Sequence, residues 1–180
     1  MIMDIFEQKE VLKSFGLIVD SREQDTSRAR RRYKTFGVPY ARATLDYGDY
    51  TFNAVLPGGA ALYDTQERIF PSVVVERKES LDELAQCLTR SRERFEREFS
   101  RAVNHGAKIY LVCENGSWEQ INAGKYRTRM ASAAFFNSLT AFMARYDMSV
   151  LFCKEDTSGQ LIKNILYREF KERLEHGKYG

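Results

Sequence analysis

Short apolar runs and longer amphipathic stretches alternate along the chain, and each kind of pattern predicts a different element. The short runs cannot support a helix and are rich in β-branched and aromatic residues, so they predict strands. They lie at 17–20, 39–44, 49–53, 73–75, 108–113 and 149–153. Apolar residues at helical spacing predict one long helix over 81–104 and further helices over 130–146 and 158–175.

This order of elements begins with strands and continues with alternating helices and strands. It predicts an α/β fold in which helices flank a central mixed β-sheet. A length of 180 residues fits a single domain over 1–180, and a hydrophobic content of 43% is enough to form its core.

Composition also indicates where the protein works. The three cysteines, Cys87, Cys113 and Cys153, are widely spaced among apolar neighbours, which favours buried thiols in a reducing compartment over disulfides or a zinc site. The first ten residues lack the apolar segment of a signal peptide, and no stretch is long enough to span a bilayer. We therefore expect a soluble, cytoplasmic protein without a membrane partner.

The net charge of +3 does not by itself indicate a nucleic-acid partner, but the positive residues are clustered. Basic residues crowd 28–34, and arginines recur over 90–101 on a predicted helix. Both clusters could contact phosphate. The alternative is a solvated helix face whose arginines pair with Glu93, Glu96 and Glu98.

The strongest chemical pattern is the strand Val73–Val75 followed directly by Glu76, Arg77 and Lys78. Strand side chains alternate between faces, so Glu76 and Lys78 share one face while Arg77 lies on the other. A carboxylate beside an ammonium group suits phosphodiester hydrolysis, in which a divalent cation activates water and the ammonium stabilises developing charge.

One carboxylate is too few to hold Mg²⁺, and three further acids could complete the site. Asp49 follows Gly48 at the start of a strand, and Asp20 and Glu23 follow the first strand. Taken singly, Asp49 could close a turn, Asp20 could cap a helix, and the charges after Val75 could begin a surface helix. The histidines His105 and His176 stand near predicted helix ends. Glu114 follows a strand and could support the site, but a surface acid is the simpler interpretation.

Three blocks together resemble the XPF family of structure-selective endonucleases. They are Val-Asp-Ser-Arg-Glu at 19–23, Gly-Asp-Tyr at 48–50, and Glu-Arg-Lys at 76–78 with Asp82 four residues after the lysine. The resemblance spans roughly 15–170 and implies a restriction-endonuclease-like core. It also implies a DNA endonuclease that depends on Mg²⁺ or Mn²⁺ and acts on branched, flapped or forked DNA.

The resemblance further implies a role for each matching residue. Asp49 and Glu76 would be the central metal ligands, Asp20 and Glu23 would complete or extend the metal site, and Lys78 would act on the nucleophile or the transition state. Arg77 and Asp82 belong to the catalytic signature, either in a supporting ion pair or against DNA. The DNA contacts would come from Arg22, which could instead hold a ligand carboxylate, and from Arg92 and Arg94.

The chain departs from the family pattern because nothing in it resembles a tandem helix-hairpin-helix domain. Substrate choice would then come from the core, a partner chain or a domain outside this sequence. Family domains pair through their last helices, so the apolar faces of 130–146 and 161–170 predict a homodimer or heterodimer. Two alternatives remain open: a Holliday junction resolvase or general single-strand nuclease on the same fold, and a non-catalytic DNA-binding scaffold.

Overall fold

Strands and helices follow one another largely as the apolar pattern predicts. The computed structural model describes residues 3–177. The strands are β1 (Gly16–Asp20), β2 (Tyr40–Ala43), β3 (Tyr50–Asn53), β4 (Val73–Lys78), β5 (Lys108–Glu114) and β6 (Ser149–Cys153). The helices are α1 (Ile5–Lys13), α2 (Ser27–Lys34), α3 (Leu81–Cys87), α4 (Arg92–Asn104), α5 (Trp118–Asn122), α6 (Ser132–Tyr146) and α7 (Glu155–Glu175).

The strands form one mixed sheet in the order β2-β1-β3-β4-β5-β6. β3 pairs antiparallel with β1 and β4, whereas the β1–β2, β4–β5 and β5–β6 pairs are parallel. The start of β3 therefore lies at the same sheet edge as the ends of β1, β4 and β5. This edge collects the acids that the sequence places at those strand ends.

Helices cover both faces of the sheet, as the predicted α/β fold requires. Val74 packs in a core with α3, α4 and α6, while its neighbours Val73 and Val75 pack in a second core with α2 and α7. Residues of β4 with even numbers therefore face α3 and α4, and those with odd numbers face α2 and α7. No helix within residues 3–177 is both long and apolar enough to cross a bilayer.

The prediction of one long helix over 81–104 was wrong, because two helices occupy this range. α3 ends at Cys87 with Leu88 as its C-cap, and α4 begins after Ser91. The apolar positions Leu88 and Phe95 are seven residues apart, which is two helical turns, so the periodicity continues across the break. α2 was missed because its polar sequence carries too few apolar residues to show a helical stripe.

The expectations for the cysteines and the histidines are confirmed. Cys87 and Cys113 are buried, Cys153 is partly buried, and all three are free thiols. His105 and His176 stand at the C-terminal caps of α4 and α7.

Gly159 allows α7 to approach α2 closely. A Cβ atom there would overlap Thr35 Oγ1 and the Arg32 carbonyl oxygen. We expect Gly159→Ala to lower the free energy of unfolding by about 2–3 kcal/mol, because overpacking forces backbone shifts. Urea denaturation measures this, with Gln160→Ala at the adjacent exposed position as the control. Equal stability of the two variants would contradict the close approach.

Candidate active site

The backbone of Asp49 joins the ends of two strands at the shared sheet edge. The Asp20 N–H donates to the Asp49 carbonyl oxygen at 2.8 Å, and the Asp49 N–H donates to the Val75 carbonyl oxygen at 3.0 Å. Asp49 is thereby held between the end of β1 and the end of β4. Three blocks far apart in the sequence converge here.

Gly48 sets the turn that delivers Asp49. Its φ of +73° lies in the left-handed region, and a Cβ atom would come within 2.7 Å of Val74 Cβ. The Arg77 backbone N–H donates to Asp49 Oδ2 at 2.7 Å. Burial, followed by the charges of Glu76 and Glu23, raises the pKa of Asp49 well above its ordinary range. The Asp49 carboxyl group is thus fixed in position, and its surroundings favour the protonated, neutral form.

Glu76 and Lys78 share a face and form an ion pair, as strand alternation predicts. Lys78 Nζ lies 2.6 Å from Glu76 Oε1, and both side chains are buried. Burial raises the pKa of Glu76 to about 7; the Lys78 charge opposes this shift and the Glu98 charge adds to it. Lys78 also lies over the Phe95 ring, 5.3 Å from its centroid.

Arg77 faces the other side of the sheet, where it lies between two carboxylates. Its guanidinium is 3.6 Å from Glu23 Oε2 and 3.4 Å from Glu114 Oε2. Glu23 Oε2 also accepts a hydrogen bond from the Tyr50 hydroxyl at 3.0 Å. Arg77 therefore contacts Asp49 through its backbone N–H, and Glu23 and Glu114 through its side chain.

The interpretation of Glu114 as a surface acid was wrong. Its side chain is fully buried, and three arginines surround it. Arg28 donates to it at 2.7 Å, Arg32 at 3.1 Å and Arg77 at 3.4 Å. A strand-end acid can be buried here because α2, which the sequence pattern does not reveal, covers this edge and supplies two of the arginines.

Asp20 is buried and its carboxylate is fully engaged. Arg22 binds it with two side-chain hydrogen bonds, at 2.9 and 2.7 Å, and with its backbone N–H at 2.6 Å. The Leu45 N–H adds a fourth bond at 3.2 Å. Both oxygens of Asp20 thus have protein donors, and Arg22 holds a carboxylate, which was one of the two predicted roles.

Asp82 and Arg92 contact other parts of the protein than the acidic cluster. Asp82 accepts backbone N–H bonds from Arg127 at 2.7 Å and Thr128 at 2.9 Å, which anchors the loop before α6. Arg92 lies 3.0 Å from Glu96 and stacks over Phe142. Arg94 is exposed and has no ion pair within the described part of the chain.

A polar cavity of about 480 Å³ opens beside the acids. Its lining is rich in arginine and includes three glutamates. The residues are Arg22, Glu23, Gln24, Thr26, Arg28, Ala29, Arg32, Arg77, Glu79, Glu83 and Arg94. The cavity therefore offers several guanidinium groups within reach of the Asp49 edge.

The acids suit a divalent cation, although residues 3–177 contain no ready cluster of three or more His, Cys, Asp or Glu ligands. Glu76 Oε2 is buried and has no hydrogen-bond partner. Lys78 occupies the other oxygen. Burial raises the pKa of both Asp49 and Glu76, so a bound cation would favour their charged forms. Hard carboxylate oxygens are the ligands that Mg²⁺ and Mn²⁺ prefer, so the donor set fits such an ion.

Sequence reasoning missed Glu98 as part of this region and named it only as a pairing partner in the alternative of a solvated helix face. Glu98 Oε1 accepts the Gly48 N–H at 3.0 Å. Its position directly before Phe99, which is buried, could have indicated that it borders the sheet. The partner at Gly48 is visible only in the folded chain.

The mixed sheet with helices on both faces defines an α/β protein, and its likeness to solved XPF structures shows the restriction-endonuclease-like nuclease fold. Comparisons with known proteins then identify the family. The ERCC4 domain profile matches residues 19–165, so the chain belongs to the ERCC4 domain family and is an XPF-type DNA nuclease domain.

Solved structures agree with this assignment. XPF from Aeropyrum pernix matches with a TM-score of 0.59 and 18% identity, over 91% of this chain and 69% of that chain. XPF from the same organism in complex with DNA matches with a TM-score of 0.58 and 20% identity, over 88% of this chain and 66% of that chain. At these identities the likeness shows the fold, and this chain spans about two thirds of those proteins. The curated proteins gave no match.

Proposed function

We propose that this domain is a Mg²⁺- or Mn²⁺-dependent endonuclease that hydrolyses phosphodiester bonds in branched, flapped or forked DNA. The observation that supports it most is the pair Asp49 and Glu76 at one sheet edge, with one buried Glu76 oxygen unpartnered and Lys78 on the other. Such an arrangement costs stability in a purely structural site. It is useful where a cation and a phosphate must be held together.

In this proposal Asp49 and Glu76 hold the cation, and a bound Mg²⁺ or Mn²⁺ supplies an activated water and neutralises the phosphate. Lys78 keeps its proton, because the charges of Glu76 and Asp49 outweigh the effect of burial and raise its pKa. Its ammonium therefore stabilises negative charge on the phosphate or orients the nucleophile.

The remaining signature residues act as positioning groups in this proposal. The Arg77 backbone N–H orients the Asp49 carboxylate, while its side chain bridges Glu23 and Glu114. Asp20 keeps Arg22 at the rim of the site. Asp82 secures the loop at 127–128 rather than touching DNA.

The arginine-lined cavity is the proposed path for the DNA backbone beside the acids. Arg94 is exposed, and the side chain of Arg22 is 62% exposed, so both are accessible to a phosphate in solution. One of the solved structures with this fold, XPF from Aeropyrum pernix, is in complex with DNA. The preference for branched DNA rests on the family resemblance.

Pairing through the last helices remains a prediction. The buried side of α6 packs in the protein's own core through Phe135, Leu139 and Phe142, and the apolar side of α7 does so through Ile162 and Leu166. A dimer would therefore use the outer sides of these helices.

The test is a cleavage assay on fluorescent flap, fork, Holliday junction, single-strand and duplex DNA with Mg²⁺, with Mn²⁺ and with a chelator. We expect metal-dependent cutting of the branched substrates and its loss in Glu76→Gln. Glu93→Gln, an exposed acid of α4, is the matched control and should cut normally.

Three outcomes would contradict the proposal in different ways. Full activity of Glu76→Gln would remove the assigned site. Preferential cutting of Holliday junctions or of single strands would favour those alternatives. Tight DNA binding without cleavage under every metal condition would favour the non-catalytic scaffold.

A further inference from the structure

The position of α4 brings one more acid to the Asp49 edge. Two contacts fix the helix against the sheet: Lys78 lies over Phe95, and Glu98 accepts the Gly48 N–H. Phe95 and Glu98 are one helical turn apart, so both contacts come from the same side of α4.

These two contacts lie on either side of Glu76. Gly48 packs on Val74, and Val74, Glu76 and Lys78 alternate on one face of β4. The helix therefore crosses the strand with Glu98 near Val74 and Phe95 at Lys78. Glu76 is the residue between them, and it carries the buried, unpartnered Oε2.

Glu98 also differs from the other acids of its helix. Glu93 pairs with Arg97, and Glu96 pairs with Arg92 and Arg145. Within residues 3–177, Glu98 has no such ion pair, and only its Oε1 has a hydrogen-bond partner. The nearby Arg22 interacts with the Glu98 charge, but its guanidinium is bound to Asp20.

We propose that Glu98 is a third carboxylate of the divalent-cation site, contributed by α4 to the pair formed by Asp49 and Glu76. Its Oε1 accepts the Gly48 N–H and so holds the turn that delivers Asp49. Its Oε2 would join the ion once binding draws the three acids together, because they form no ready ligand cluster within residues 3–177. The inference rests on the proposed function, since it assigns a residue to the same cation site.

A glutamine at position 98 separates the two roles of this side chain. Its amide oxygen can still accept the Gly48 N–H, so the turn is retained, but the charge is lost. Glu98→Ala removes both. A purely structural role for Glu98 would make Glu98→Gln behave like the wild type.

The experiment titrates Mn²⁺ into the metal-stripped full chain and measures binding by electron paramagnetic resonance and calorimetry, without DNA. We expect Glu98→Gln to weaken Mn²⁺ binding about tenfold, while its thermal midpoint without metal stays at or above that of the wild type. Glu93→Gln, the neutralised acid on the outer side of α4, should bind Mn²⁺ as the wild type does.

The wild type and Asp49→Asn distinguish the possible failures. If the wild type binds Mn²⁺, Asp49→Asn does not, and Glu98→Gln binds with unchanged affinity, this inference is overturned while the proposed function stands. If the wild type does not bind Mn²⁺, or Asp49→Asn binds it equally well, both are overturned. Weaker binding in Glu98→Gln and Glu93→Gln alike would also overturn it, because the effect would then come from general surface charge.

Discussion

Asp49→Asn is expected to reduce DNA cleavage about a thousandfold or more and, at the same time, to make the metal-free protein more stable at pH 8. The loss of activity follows from the removal of a charged ligand that is held in place by the Arg77 N–H. The gain in stability follows because Asp49 has a raised pKa in the folded state. A group of this kind destabilises the fold increasingly as pH rises above its ordinary value of 3.8.

Cleavage kinetics and thermal unfolding at pH 5 and pH 8 measure both parts of this prediction. Mn²⁺ at a hundredfold excess over the dissociation constant should add about 2.7 kcal/mol to the stability of the wild type and so raise its thermal midpoint. It should not raise the thermal midpoint of the variant. Asp64→Asn, at an exposed position, is the control. An Asp49→Asn protein that cuts DNA normally or still gains stability from Mn²⁺ would contradict the assignment.

Glu114→Gln is expected to cause the largest loss of stability, about 3–5 kcal/mol, because it leaves buried arginine charge without a partner. Arg32 is the main cause, since its guanidinium is almost fully buried 3.1 Å from Glu114. Although burial acts to raise the pKa of Glu114, the charges of Arg32 and Arg77 and the hydrogen bond from Arg28 outweigh it and lower the pKa. The stabilisation from Glu114 is therefore complete above its ordinary value of 4.5 and is lost as pH falls through the lower folded value.

Urea denaturation at pH 7 and at pH 3 tests this prediction. The difference between the wild type and Glu114→Gln should be large at pH 7 and smaller at pH 3. Glu79→Gln is the matched control, because Glu79 contacts the same Arg28 but is half exposed, and it should cost less than about 1 kcal/mol. Similar losses of unfolding free energy in the two variants would show that burial of the Glu114 ion pairs does not increase their contribution to stability.

Much of this protein could be predicted from local pattern alone. Strands and the later helices have strong periodicity, because each must place an apolar side on the core. The face shared by Glu76 and Lys78 follows from strand alternation, and their ion pair confirms it. The joining of Asp49 to the ends of β1 and β4 follows from strand ends meeting at one sheet edge.

Other features depend on which elements pack together, and no local pattern contains that information. The Glu114 cluster exists because α2, polar in sequence, folds over the sheet edge and is held there by α7 at Gly159. Asp82 belongs to the family signature, yet the loop it anchors is 45 residues away along the chain. Glu98 reaches Gly48 because Phe95 and Phe99 pack α4 in the core on this face of the sheet.

The sequence by itself thus determined the fold class, the family and the acids and lysine that meet at the sheet edge, since period and spacing are local properties of a chain. The tertiary structure alone decided the charge environment of those groups: which carboxylate is saturated, as in Asp20, and which keeps a buried oxygen unpartnered, as in Glu76. Burial and ion pairing depend on contacts between distant segments, and those contacts form only when the helices have packed on the sheet.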